Sequence, residues 1–339
     1  MRKSASVRTP AIFLFLSASV IIFSGRAADG RLQTAQQPPE LAEASQLSAS
    51  VVNLFVQGKY DEAAPLAKRA LDLREKVLSK DDERVVLAVL NLAEVQYARG
   101  KYDDAKELFE RARHSYERTL KPGDPRLIRV LDSLALNYFA LGQPLETERI
   151  YKTILAVRGK NGDVDSPSFA DSLYHLAEFY QFQGQYQTAE PLYERLIEIR
   201  TKSNTNQEAR TQALDRYACL LRKEKRIPDA ERVEAETYSS LNPAASEIIT
   251  SGVVNGKAIH LVTPPYPAEA INGKTSGRVT VRVLINENGD VIRVCAIDGP
   301  KVLMKVSESA AAMSKFTPTL VNQKAVEVSG VIIYNFVAR

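Results

Sequence analysis

The chain has 339 residues, 45% apolar and 25% charged, which is enough apolar material for packed cores and argues against a disordered polymer. Lysine and arginine number 45 against 41 acids, but Arg2, Lys3, Arg8 and Arg26 stand in the first 27 residues, where there is no acid, so the remainder is balanced at 41 to 41. A neutral body lacks the cationic footprint of a nucleic-acid binder, and two cysteines with three histidines are too few for a disulfide scaffold or a zinc cluster.

Residues 1–27 read as a targeting segment. Arg2, Lys3 and Arg8 form a basic start, Ala11 to Phe23 is apolar apart from Ser17 and Ser19, and Gly25-Arg26-Ala27 supplies small residues for cleavage. As a helix, this run reaches roughly 22 Å, short of a bilayer core of about 30 Å. A cleaved signal peptide is the expectation, with an uncleaved inner-membrane anchor as the competing reading. Both export the rest of the chain. Residues 28–40, with Gln36-Gln37-Pro38-Pro39, read as a linker.

From residue 41 to 240 the sequence repeats. Gly58, Gly100, Gly142 and Gly184 are spaced by 42, and Lys225 takes the glycine's place in a fifth unit at spacing 41. Seven residues before that position stand Val51, Ala93, Ala135, Ala177 and Ala218; five after it stand Ala63, Ala105, Ala189 and Ala230. Each unit reads as a helix pair. Glycine ends the first helix in a left-handed cap, and alanines let the two helices approach closely. Asp82, Asp124 and Ser166 recur at the same period as N-caps, and Pro125 and Pro167 follow at the first helical position.

This frame resembles the tetratricopeptide repeat in its 42-residue, kinesin-light-chain-like form, which implies an α solenoid of five helix hairpins. In that family the first helices line a concave groove for a protein ligand. Carried over by the frame, the groove positions are Phe55; Leu87, Leu90, Glu94 and Tyr97; Arg129, Asp132, Leu136 and Phe139; Asp171, Tyr174, Glu178, Gln181 and Phe182; and Asp215 and Arg222. Aromatics mixed with charges suit a peptide. The competing expectation is that this face packs on a neighbouring domain or is simply solvated.

After a linker over 241–251 the pattern changes. Val279, Val281, Val283 and Ile285 alternate with Arg278, Thr280, Arg282 and Leu284, which predicts a strand. Asn288-Gly289 predicts a hairpin, with Val291 to Ile297 as the partner strand. Leu303, Val306, Ala310 and Met313 predict a helix, and Val326 to Val337 a last strand. Strand, strand, helix, strand is a small α+β sheet with the helix on one face.

Residues 252–339 resemble the C-terminal domain of the TonB family of energy transducers. The resemblance rests on Pro264-Pro265-Tyr266-Pro267, Ser276-Gly277, Asn288-Gly289-Asp290, Phe316-Thr317-Pro318 and Tyr334-Asn335-Phe336. It implies a periplasmic protein of a Gram-negative bacterium whose sheet edge takes the TonB-box peptide of an outer-membrane TonB-dependent receptor as an extra strand. The expected edge is the last strand, with Val326, Val328, Gly330, Ile332, Tyr334 and Phe336. Self-pairing into a homodimer and coverage by the linker are the competing uses of that edge. The family's anchor carries a motor-coupling histidine and is followed by a long Pro/Lys/Glu-rich spacer. Here the leader has no histidine and a repeat array replaces the spacer, so a non-energised periplasmic scaffold, whose TonB-like domain binds another envelope protein or a cell-wall component, is the alternative function.

Other signals carry no chemistry. Gly252 to Lys257 has three residues where a phosphate loop has four, and Ala258 where Ser or Thr must stand. His114, His175 and His260 have no ligand at metal spacing, and the paired acids Asp81-Asp82 and Asp103-Asp104 stand at helix starts. No nucleophile–base constellation emerges, so neither an enzyme nor a cofactor or metal is expected. Cys219 and Cys295 fall in different expected domains, which favours free thiols.

Overall fold

The computed structural model describes residues 38–160, 162–203, 206–241, 249–267, 270–271 and 273–338. The targeting segment over 1–27 and most of the linker after it lie outside these residues. Among the described residues no helix is long and apolar enough to cross a membrane. The chain forms two compact units, one ending at Val164 and one beginning at Asp165.

Among the described residues the first unit is three helix hairpins: α1 (Pro39–Val56) with α2 (Tyr60–Val77), α3 (Glu83–Ala98) with α4 (Tyr102–Thr119), and α5 (Pro125–Ala140) with α6 (Pro144–Lys160). Pro39 and Glu40, expected in the linker, open α1 instead, because proline is well placed at a first helical position. The repeat columns form the seams: Ala63, Ala93, Ala105 and Ala135 are wholly buried.

The second unit opens with two more hairpins, α7 (Pro167–Gln183) with α8 (Tyr186–Ser203) and α9 (Gln207–Lys223) with α10 (Ile227–Leu241). The expected caps are in place. Asp82 and Asp124 accept from the backbone N–H groups of Arg84 and Arg126, and Ser166 accepts from that of Phe169. Gly58, Gly100, Gly142 and Gly184 all adopt left-handed backbone, with φ between 68° and 77°, and Lys225 follows them at φ 62°.

Among the described residues the same unit continues into the strands β1 (Ile249–Val253), β2 (Ala258–His260), β3 (Gly277–Ile285) and β4 (Val291–Asp298), the helix α11 (Lys301–Ala312), and the strands β5 (Lys315–Phe316), β6 (Thr319–Val321), β7 (Lys324–Val326) and β8 (Val328–Phe336). The main sheet has the order β1-β8-β3-β4, while β2 pairs with β5 and β6 with β7. The alternation expected in β3 holds: Val279, Val281, Val283 and Ile285 join Leu303, Ala310, Ala311, Phe316 and Ile332 in one core under α11. The predicted last strand is two elements. Val326 closes a β6–β7 hairpin that turns at Asn322 and Gln323, both with positive φ, and β8 starts after Glu327.

Two expectations are overturned here. Cys219 and Cys295 are not free thiols but a disulfide, their Cα atoms 5.6 Å apart. The reason is that α9 packs against β4, so the repeat helix and the sheet strand are neighbours. The last strand is also not the outermost one. β1 pairs with it in parallel, matching Ile249 to Val328, Thr250 to Ser329 and Val253 to Val331.

Candidate peptide-docking edge and repeat groove

The registers with β3 and β1 divide the backbone of β8 into two sides. Its inner side runs antiparallel to β3 from Val328–Ile285 to Phe336–Gly277. The side chains of Val328, Ile332, Tyr334 and Phe336 are buried, so these residues build the core instead of offering side chains at an edge. The outward backbone groups belong to the alternate residues. Val331 C=O accepts from Val254 N–H at 2.9 Å, and Ile333 is clamped by the Asn255 amide, which donates to its C=O and accepts from its N–H, both at 2.9 Å. Asn335, next in that series, is exposed. The β1 register stops at Val331, two outward positions short of it.

Gly330 explains how the chain crosses this edge so closely. A side chain there would collide with Val254 Cγ1 and stand 3.1 Å from the Gly252 carbonyl oxygen. Val254 is 1% exposed and joins the core cluster. The segment thus pins itself to β8 by one apolar plug and one amide clamp.

The TonB-like motif residues gather around this sheet. Tyr266 packs edge-on against Phe336, with centroids 5.5 Å apart, and its hydroxyl donates to the Thr275 carbonyl. Gly277 opens β3 against the Pro300 ring. Gly289 lies in the β3–β4 turn, where its C=O accepts from Phe316 N–H at 2.8 Å. Pro264 and Pro267 stand in the strandless stretch after β2, and Pro318 is exposed just before β6.

The opposite edge, β4, is covered. Ala296 N–H donates to the buried Glu308 carboxylate of α11 at 2.8 Å, and α9 is fixed to β4 by the disulfide. The same helix face carries Asp215, which meets Arg293 at 3.1 Å, and Arg222, which holds Glu234 by paired 2.7 Å hydrogen bonds. Glu234 also lies 3.5 Å from Arg282 of β3. Residues 215, 219 and 222 are spaced i, i+4, i+7 on one helix face. For Asp215 and Arg222, the competing expectation is the correct one: their face packs on the C-terminal sheet.

Beside them, Arg216 sits 3.2 Å from Glu178 and 3.9 Å from Glu308. Burial works against its charge, yet those carboxylates prevail and hold its pKa well above the ordinary value. Burial also depresses the pKa of Lys223 and Lys305 and raises that of Tyr174. For Glu308 burial pushes upward, but Arg216, Lys223 and Lys305 outweigh it and lower the pKa. Burial pushes the Asp215 carboxyl up to about 6, against the pull of Arg293 and Arg216.

The other groove positions are more open. In the first unit Leu90, Tyr97, Asp132 and Phe139 are half-buried and Arg129 is exposed. Glu94 accepts from the Ser133 hydroxyl at 2.9 Å, tying α3 to α5, and burial raises its pKa. Phe55 and Tyr97 each pack on the tyrosine five residues later, Tyr60 and Tyr102, which open α2 and α4. In the second unit Tyr174 and Gln181 are buried, while Phe182 is 49% exposed. Sequence reasoning missed Val254 and Asn255, which give no local signal of a partner about eighty residues away. It also missed Arg216, Arg293 and Glu308, which read as ordinary surface charges. Among the described residues no cluster of histidine, cysteine or carboxylate could hold a metal ion.

The tetratricopeptide repeat family model matches residues 47–118, 85–160 and 168–241, and the model of the Gram-negative bacterial TonB protein C-terminal matches residues 262–338. No curated protein matches the chain. Solved structures share the helical fold. Nearly identical TPR-like repeats, of the kinesin light chain kind, from Podosopora anserina are 22% identical with a TM-score of 0.54, covering 61% of this chain and 97% of that one. BtubC (BKLC) from P. vanneervenii is 17% identical with a TM-score of 0.52, covering 62% and 88%. Aspartyl phosphate phosphatase F from Bacillus subtilis is 17% identical with a TM-score of 0.54, covering 61% and 52%.

Proposed function

Because the chain belongs to the tetratricopeptide-repeat family and closes on a TonB-type C-terminal domain, we propose that it is an exported adaptor that takes a segment of an outer-membrane TonB-dependent transporter as an added β-strand. Its repeats hold a second protein in the groove of the first unit. Both modules are interaction modules, and the TonB-type domain marks a Gram-negative envelope protein.

The observation that carries the reading is the outward side of β8. It takes a parallel strand from the chain itself, and Asn335 extends past the point where that strand ends. Strand addition draws affinity from such backbone groups and specificity from neighbouring side chains. The disulfide agrees with export, since such bonds persist in oxidising compartments such as the periplasm.

The test is capture by the full chain from outer-membrane extract. Asn335→Pro removes an outward donor while sparing the inner ladder to β3. Capture of a transporter that falls at least tenfold in this variant supports the proposal; undiminished capture refutes it. The scaffold reading is favoured by the leader, which lacks histidine. It predicts capture of an envelope protein or cell-wall material other than such a transporter.

A further inference from the structure

We propose that Ile249–Val253 is a tethered stand-in for the partner's strand, and so reports what the site on β8 accepts: an uncharged segment of small and β-branched residues, running parallel to β8. The inference rests on the strand-addition reading and adds to it the direction, the composition and the competitor of the bound segment.

Three observations converge on it. The sequence Ile-Thr-Ser-Gly-Val carries no charge and no proline, whereas edge strands are ordinarily protected by lysine, proline or a covering element. The segment is laid on loosely. Its register with β8 is interrupted between Thr250 and Val253, so Ser251 and Gly252 fall out of step. Thr250, Gly252 and Val253 are exposed, Val253 by 57%. One residue further on, the character reverses. Val254 is plugged into the core and Asn255 clamps Ile333. The boundary between a strand that can lift and an anchor that cannot thus falls between Val253 and Val254, with Gly252 beside it as the pivot. Lifting Val253 uncovers little apolar surface, because its side chain is already 57% exposed. Lifting β1 frees the outward groups around Ser329, the side of β8 that an added strand must use.

Direction follows from the pairing. β1 runs from Val328 toward Val331, so an incoming segment lies with its N-terminal end near Val328. Composition follows from what the site already tolerates. Being tethered, β1 competes at an effective concentration of order millimolar. A free segment prevails only by contacts beyond the Val328–Val331 stretch, because Val254 and Asn255 hold the outward groups of Val331 and Ile333.

Two measurements on the full, disulfide-intact chain test this. In hydrogen exchange, the amides of Thr250 to Val253 are expected to exchange at least 100-fold faster than those of Val281 and Ile332. Exchange at the rate of that central ladder would overturn the proposal. The second uses a fluorescent peptide copying residues 249–255, Ile-Thr-Ser-Gly-Val-Val-Asn. The triple variant Ile249→Ser, Thr250→Pro, Val253→Ser is expected to bind it at least tenfold more tightly than the wild type does, and the reversed peptide is expected to bind neither. Equal binding to both chains would mean addition outside β1, or none, and would overturn the proposal. If the variant fails to fold, the exchange experiment on the wild type still decides. Neither measurement uses a receptor, so failed receptor capture bears on the transporter reading alone.

Discussion

Lys225 occupies the left-handed cap that glycine takes in the other four repeats, at φ 62°. A residue with a Cβ is strained there by roughly 1 kcal/mol relative to glycine. Lys225→Gly is therefore expected to raise stability by about 1 kcal/mol, read from urea melts. Asp215 makes a pH-dependent prediction. Its folded pKa of about 6 is above the usual carboxylate value, so the folded state holds that proton more tightly than the unfolded state does. Its contribution is present at low pH and is lost as pH rises from about 4 to about 6. Asp215→Asn should flatten that part of the stability–pH curve, by at most about 3 kcal/mol. A curve of unchanged slope would refute the assignment. The cap was legible in the sequence because a repeat frame exposes its own exceptions. The environment of Asp215 was not, since Arg293 meets it from a strand 78 positions away.

At the level of elements, β3 announces itself by alternation, α11 by three- and four-residue steps, and the helix starts by their caps. All of these are local patterns. Whether a strand is an edge is a matter of topology. Nothing in Ile249 to Val253 names β8 as its neighbour, and the plug at Val254 becomes visible only beside Gly330. The β6–β7 hairpin escaped notice because its strands are three residues each and it turns at Asn322-Gln323 rather than at glycine. The plug is open to direct test. Val254→Ala should cost about 2 kcal/mol and raise amide exchange in β1 more than in β3. Equal protection in both chains would remove the plug from the account.

For the whole molecule, the sequence conveyed two kinds of module, but not that the last repeat packs on the sheet. Reading the modules as separate domains led to free cysteines and an open final groove, and one packing contact reverses both. The disulfide spans a separation of 76 residues, for which the chain-entropy model gives about 4 kcal/mol of stabilisation. Cys219→Ser with Cys295→Ser should lose a comparable amount in denaturant melts of the second unit, and reductant should reproduce the loss in the wild type. A melt insensitive to both would show that the ion pairs alone hold α9 to β4.

That covalent bond also fixes a route for load. Tension on the terminal strand crosses the ladders to β3 and β4 and enters α9 through sulfur, without passing along the chain that joins α9 to β3. The loop that the bond closes amounts to about 250 Å of contour, and it cannot unspool until the bond is cut. A pull on this tail therefore reaches the helices through the sheet and that bond before the loop between them can extend.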